Sequence, residues 1–142
     1  MRAALPPLVS IPAGAAIATA RLASPVFVAL ELFGTVPLAV EDLTLVTRFL
    51  AFAVVYGGCL GVAAGVSRSG LPPARDRTVV LASGLAAAAT ALVLTLVFLT
   101  SVLDPVDPLS RVVVTAVTSA AAIGVQVAVV VFAGLALGRR LR

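Results

Sequence analysis

Residues 67–77 read SRSGLPPARDR, three arginines, a glycine and two adjacent prolines set between long apolar runs. Proline has no N–H and clashes with the preceding turn, so Pro72–Pro73 ends any helix that reaches it. Upstream lies Thr44 to Val66 and downstream Thr78 to Leu103. A second break, DPVDPLSR at residues 104–111, carries Pro105 and Pro108 and precedes a third run, Val112 to Gly138. A bilayer crossing takes about 20 apolar residues, and each run is that long. The spacing predicts transmembrane helices over 44–66, 78–103 and 112–138.

Composition points the same way. The 142 residues are 61% hydrophobic and 11% charged, whereas a soluble domain is about 25% charged. So little charge cannot cover a water-soluble globule, and lipid is the natural solvent. All ten basic residues are arginine, and the pI is near 11.1. The arginines sit at the ends of apolar runs without the aromatic interleaving of a nucleic-acid reader, so no nucleic-acid partner is expected. There is no histidine and one cysteine, which excludes an intrachain disulfide, a zinc site and a His-dependent triad. Cys59 lies inside an apolar run and reads as a small packing residue.

The first forty residues are less regular. Ser24 suits an N-cap and Pro25 a first helical position, so a fourth span is expected over about 24–40. Upstream, LPPLVSIPAGAAIATA (5–20) is apolar but carries Pro6, Pro7 and Pro12, then Arg21. One helix from Leu5 to Val40 would be about 54 Å long at 1.5 Å per residue, too long for one crossing. A break near Arg21 to Pro25 is therefore expected, with residues 4–22 forming an extra span or a re-entrant or interfacial segment. The alternative is a kinked helix from about Ser10 to Phe33, with Thr35 and Pro37 opening the next one.

Four spans place Arg2, Arg21, Arg68, Arg75, Arg77, Arg139, Arg140 and Arg142 on one side, offset only by Asp76. Glu41, Asp42, Asp104 and Asp107 fall on the other. By the positive-inside rule both termini are cytoplasmic. Ala18-Thr19-Ala20 fits a signal-peptide cleavage pattern, but cleavage there would invert every loop, so it is disfavoured. VEDLTLVTR (40–48) and LDPVDPLSR (103–111) echo each other weakly; short outer loops followed by an interfacial arginine suffice to explain this.

The best-defined motif is a small-residue ridge, Ala53, Gly57, Gly61 and Gly65, recurring every four residues. Lipid tails are as apolar as leucine, so helices in a membrane associate by close backbone packing, which small residues permit. A second ridge runs Ala116, Ala120, Gly124 and Ala128. Both are expected helix-packing faces, with the partner of the first left open between the same chain and another.

Glu31 stands alone in VFVALELFGTV (26–36). A charge near the bilayer centre costs about 2.5–3.5 kcal/mol on insertion scales, so such residues face the bundle interior, pair or neutralise. Counting turns places Tyr56, Thr90 and Gln126 at similar depth. Thr115, Ser119, Ala122 and Gln126 form a small, polar stripe. Arg48, a turn inside the outer boundary, is long enough to snorkel or to reach toward Glu31. A buried polar layer of Glu31, Tyr56, Thr90, Gln126 and Arg48 is the expected site.

No enzymatic motif is present. GGCLGVAAG (57–65) lacks the Lys-Ser/Thr of a phosphate loop, and no carboxylate pair shares an apolar stretch. Neither cofactor nor metal is expected. The sequence reads as an all-α, four-span bundle in a plasma membrane, a non-enzymatic component that packs against itself or a larger partner. An oligomeric transporter or channel built on Glu31 is the alternative.

Overall fold

The computed structural model describes the backbone of residues 2–32, 38–102 and 109–141, and the side chains of residues 3–22, 49–101 and 109–141. The described residues form four helices: α1 (Leu5–Leu32), α2 (Leu38–Arg68), α3 (Asp76–Val102) and α4 (Leu109–Arg140). Single 3-10 turns lie at Arg2–Ala4 and Pro73–Arg75, and no strand occurs among the described residues. All four helices are long and apolar enough to cross a membrane. The protein is an all-α, four-span bundle.

The N-terminal third departs from expectation. The predicted break near Arg21 to Pro25 is absent, and α1 runs unbroken through both residues. Residues 4–22 are therefore no separate segment, and the first span is not 24–40. Pro6 and Pro7 fall in the first turn, where the missing N–H has no helical partner to lose. Pro12 and Pro25 each cost one interior hydrogen bond, a loss that helices in a membrane bundle tolerate. At 28 residues α1 is about 42 Å long, enough for one crossing with a turn or two to spare. Of the two expected alternatives, the single helix from about Ser10 to Phe33 comes nearer, begun five residues earlier. Thr35 and Pro37, its expected helix openers, lie outside the described residues.

The stretch 67–77 does turn the chain. Gly70 takes φ 99°, a left-handed conformation that glycine adopts without Cβ strain. The Ser69 N–H donates to the Gly65 carbonyl at 3.1 Å and the Gly70 N–H to the Ser67 carbonyl at 3.3 Å, closing the last turn of α2. Asp76 then opens α3, and it pairs with Arg139 in the last turn of α4. An acid at a helix start and a cation at a helix end both suit the macrodipole.

The main seams are α3–α4, α1–α3 and α2–α4, with a smaller α1–α2 contact. The helices thus follow each other around the bundle as α1, α3, α4, α2. Close backbone approach defines each main seam. A Cβ on Gly14 would meet the Ala87 carbonyl oxygen at 2.5 Å. One on Gly124 would meet Ala88 Cβ and the Gly84 oxygen, both at 2.8 Å. One on Gly134 would meet the Leu60 oxygen at 2.5 Å, and one on Gly138 would collide with Ala64. Between the seams Ile17, Ala63, Ala87, Ile123, Val127, Val131 and Leu135 fill the core.

Several hydroxyls in the spans are satisfied locally. Ser10, Thr19, Thr90 and Thr118 each donate to the carbonyl four residues back, at 2.7–2.9 Å, the usual refuge for a hydroxyl where water is absent. Ser67 instead donates across the α2–α4 seam to the Leu135 carbonyl at 2.8 Å.

Candidate functional site

Three helices converge on one side-chain oxygen. Gln126 of α4 accepts from the Tyr56 hydroxyl of α2 at 2.9 Å and from Arg21 Nη2 of α1 at 3.2 Å. Arginine can only donate, so the Gln126 amide must turn its oxygen toward the pair. Tyr56 is held in turn by Phe52, one turn earlier on α2, with ring centroids 6.1 Å apart and planes within 16°. Arg21, Phe49, Phe52, Ala53, Tyr56 and Gln126 line a lateral pocket of about 410 Å³.

The cluster lies well inside the spans. Tyr56 is twelve residues before Arg68 and Gln126 thirteen before Arg139, a rise of about 18–20 Å from the arginine-rich end. Arg21 follows Leu5 by sixteen residues and precedes Leu32 by eleven. A guanidinium keeps its charge in any protein environment. Among the described residues no carboxylate pairs with it, and the ion pair there is Arg139 with Asp76 at the bundle end. Among the described residues one of its five N–H donors has a hydrogen-bond partner, and that partner is a neutral amide.

The structure thus brings Tyr56 and Gln126 together and leaves Thr90 apart, bonded to the Ala86 carbonyl of its own helix at 2.9 Å. The side chains of Glu31 and Arg48 lie outside the described residues. Arg21, read from the sequence as a cytoplasmic loop residue, is the third member of the cluster. Its place was available in the pattern. Ser10, Ala13, Gly14, Ile17 and Ala18 are the buried face of α1, and Arg21 continues the same three- and four-residue steps. The prolines and the charge itself suggested a break instead. Along the Thr115, Ser119, Ala122 and Gln126 stripe, Ser119 is half-buried and the other three are exposed, so the stripe borders the pocket side rather than the core.

The two small-residue ridges point in opposite directions. Ala116, Ala120 and Gly124 are buried and Ala128 half-buried, with Gly124 and Ala128 against Gly84 of α3. Ala53, Gly57, Gly61 and Gly65 are all exposed. A Cβ built on Gly57, Gly61 or Gly65 meets no atom within 4 Å. α2 packs through its other side, where Cys59, Ala63, Val66 and Ser67 are buried.

Four apolar spans around a dry core define the class, a multi-pass, all-helical membrane protein. No protein-family model, curated protein or solved structure matches the chain.

Proposed function

We propose that the protein is a non-enzymatic component of a plasma-membrane assembly that docks through the outward face of α2. The observation that carries this reading is the bare ridge of Gly57, Gly61 and Gly65. Glycine within a helix costs about 1 kcal/mol relative to alanine, and lipid tails return nothing for it. Three in register facing outward become favourable when another helix lies against them and gains backbone contact. The partner is a second copy or a larger membrane protein.

The arginine distribution supports an orientation with both termini cytoplasmic. Arg2, Arg68, Arg75, Arg77, Arg139 and Arg140 share one end of the bundle even with Arg21 moved into the span, as the positive-inside rule requires. Reporter fusions after Arg142 and within 68–77 are expected to read cytoplasmic, and fusions within 104–108 external. Reversed signals overturn the orientation.

The assembly reading is tested by the mass of the protein extracted in native lipid particles. Gly61→Ile is expected to shift wild-type complexes to the mass of the single chain, while Leu60→Ile leaves them unchanged. Equal mass distributions for wild type and Gly61→Ile sink the reading.

A further inference from the structure

We infer that the segment docking on α2 is a transmembrane helix of a different protein that carries a carboxylate near its middle, and that this carboxylate pairs with Arg21. The inference rests on the docking reading above and names its partner chemistry. Arg21 is half-buried within the span and donates to a neutral amide alone among the described residues. Its pocket opens beside Ala53, the first residue of the bare ridge. The ridge from Ala53 to Gly65 extends over about 18 Å, so a helix laid along it passes the pocket mouth. An arginine fork with unused donors matches a carboxylate in geometry as well as charge.

A second copy does not supply that carboxylate. The chain has six acidic residues: Glu31, Glu41, Asp42, Asp76, Asp104 and Asp107. Glu31 is ten residues beyond Arg21 on the same helix, about 15 Å higher. Glu41 and Asp42 lie at least fourteen residues from Tyr56 along α2, about 21 Å away. Asp76 opens α3 at the opposite end of the bundle, and Asp104 and Asp107 fall between α3 and α4. A copy inserted in the same orientation keeps the acids of α1, α2 and α3 at their own depths, and none of these reaches that of Arg21.

The test uses the full chain, donor-labelled at its C-terminus, in phosphatidylcholine vesicles at pH 8. Acceptor-labelled single-span Leu/Ala peptides carry Asp, Asn or Leu at their centre. Energy transfer is expected to show the Asp peptide binding at least tenfold more tightly than the Leu peptide, with Asn close to Leu. Arg21→Gln is expected to abolish that preference and Arg21→Lys to retain most of it. Circular dichroism and melting verify that both variants fold, and Tyr56→Phe, which leaves Arg21 in place, should keep the preference. Equal binding of the Asp and Leu peptides, or an Asp preference that survives Arg21→Gln, overturns the inference. So does self-association between differently labelled copies that requires Arg21, which would make the occupant a second copy. If Gly61→Ile weakens every peptide alike and no Asp preference exists, the docking face stands and the charge pairing falls. If the Asp preference needs Arg21 but ignores Gly61→Ile, the pairing stands and the ridge is not the docking face.

Discussion

The ridges of α2 and α4 are nearly the same motif in sequence, and they have opposite fates. Ala116, Ala120, Gly124 and Ala128 turn inward against α3, whereas Ala53, Gly57, Gly61 and Gly65 turn outward. The difference lies in what occupies the other side of each helix. The far side of α4 carries Val114, Val129 and Phe132, all exposed. These bulky side chains hold a neighbouring backbone away, so close packing on α4 is confined to its inward side, where α3 and α2 both lie. α2 has two faces fit for close packing. Its second face, Cys59, Ala63 and Ser67, meets Gly134 and Gly138 of α4 closely enough that neither glycine has room for a Cβ. A small-residue repeat therefore marks a surface where a helix is able to dock, and the rest of the helix decides whether its own bundle uses it.

The sharpest way to break this comparison is Gly124→Leu. A Cβ there already falls 2.8 Å from Ala88 Cβ and from the Gly84 oxygen, so the α3–α4 seam must open. Overpacking of this kind costs about 3 kcal/mol or more, read as a large fall in melting temperature or in resistance to denaturing detergent. Wild-type stability for this variant would mean that the seam is not a close contact at all.

Gln126→Leu is expected to come next. It removes the acceptor shared by Tyr56 and Arg21 and leaves two donors unpaired, at a cost of about 1–3 kcal/mol. Tyr56→Phe removes one bond and leaves Arg21 its acceptor, so it should cost about 1 kcal/mol or less. A cost for Tyr56→Phe equal to that of Gln126→Leu would show that Arg21 contributes nothing to the cluster. Unfolding titrations of both variants in one lipid mixture make the measurement.

Arg139→Gln tests the charged fastening between the end of α4 and the start of α3. The arginine is partly exposed, so the loss should stay near 1 kcal/mol and shrink as salt screens the pair. A loss independent of ionic strength would point to packing by the arginine stem.

Gly61→Ile is the mildest change for the single chain and completes the contrast with Gly124→Leu. With open space around the new side chain, its stability should stay within about 0.5 kcal/mol of wild type. Its effect belongs to assembly alone. A large loss of single-chain stability would mean that the outward ridge packs within the bundle after all.

Much of this was legible before the structure. SRSGLPPARDR and DPVDPLSR announce their turns because proline and glycine act on their own backbone, whatever the rest of the chain does. Helices α2 and α4 enclose the spans expected for them, and Tyr56 and Gln126 were placed at one depth by counting residues. The N-terminal third was harder to read. Ser24-Pro25 is the local chemistry of a helix start and also of a tolerated interior proline in a membrane helix. Choosing between them requires the neighbours that α1 packs against, including Ala87 against Gly14. With α1 continuous, Arg21 moves from a loop into the bilayer, and the partner of the Gln126 and Tyr56 pair changes with it.

The sequence by itself determined the solvent and the helical class, because transfer of apolar residues into lipid is summed residue by residue. Only the tertiary structure decided that α1 passes unbroken through Arg21, that Arg21 meets Gln126 and Tyr56, and that α2 turns Cys59, Ala63 and Ser67 rather than its glycine ridge toward α4. Those choices rest on backbone approach between helices, where two faces of one helix offer nearly equal contact and the geometry of the neighbour selects between them.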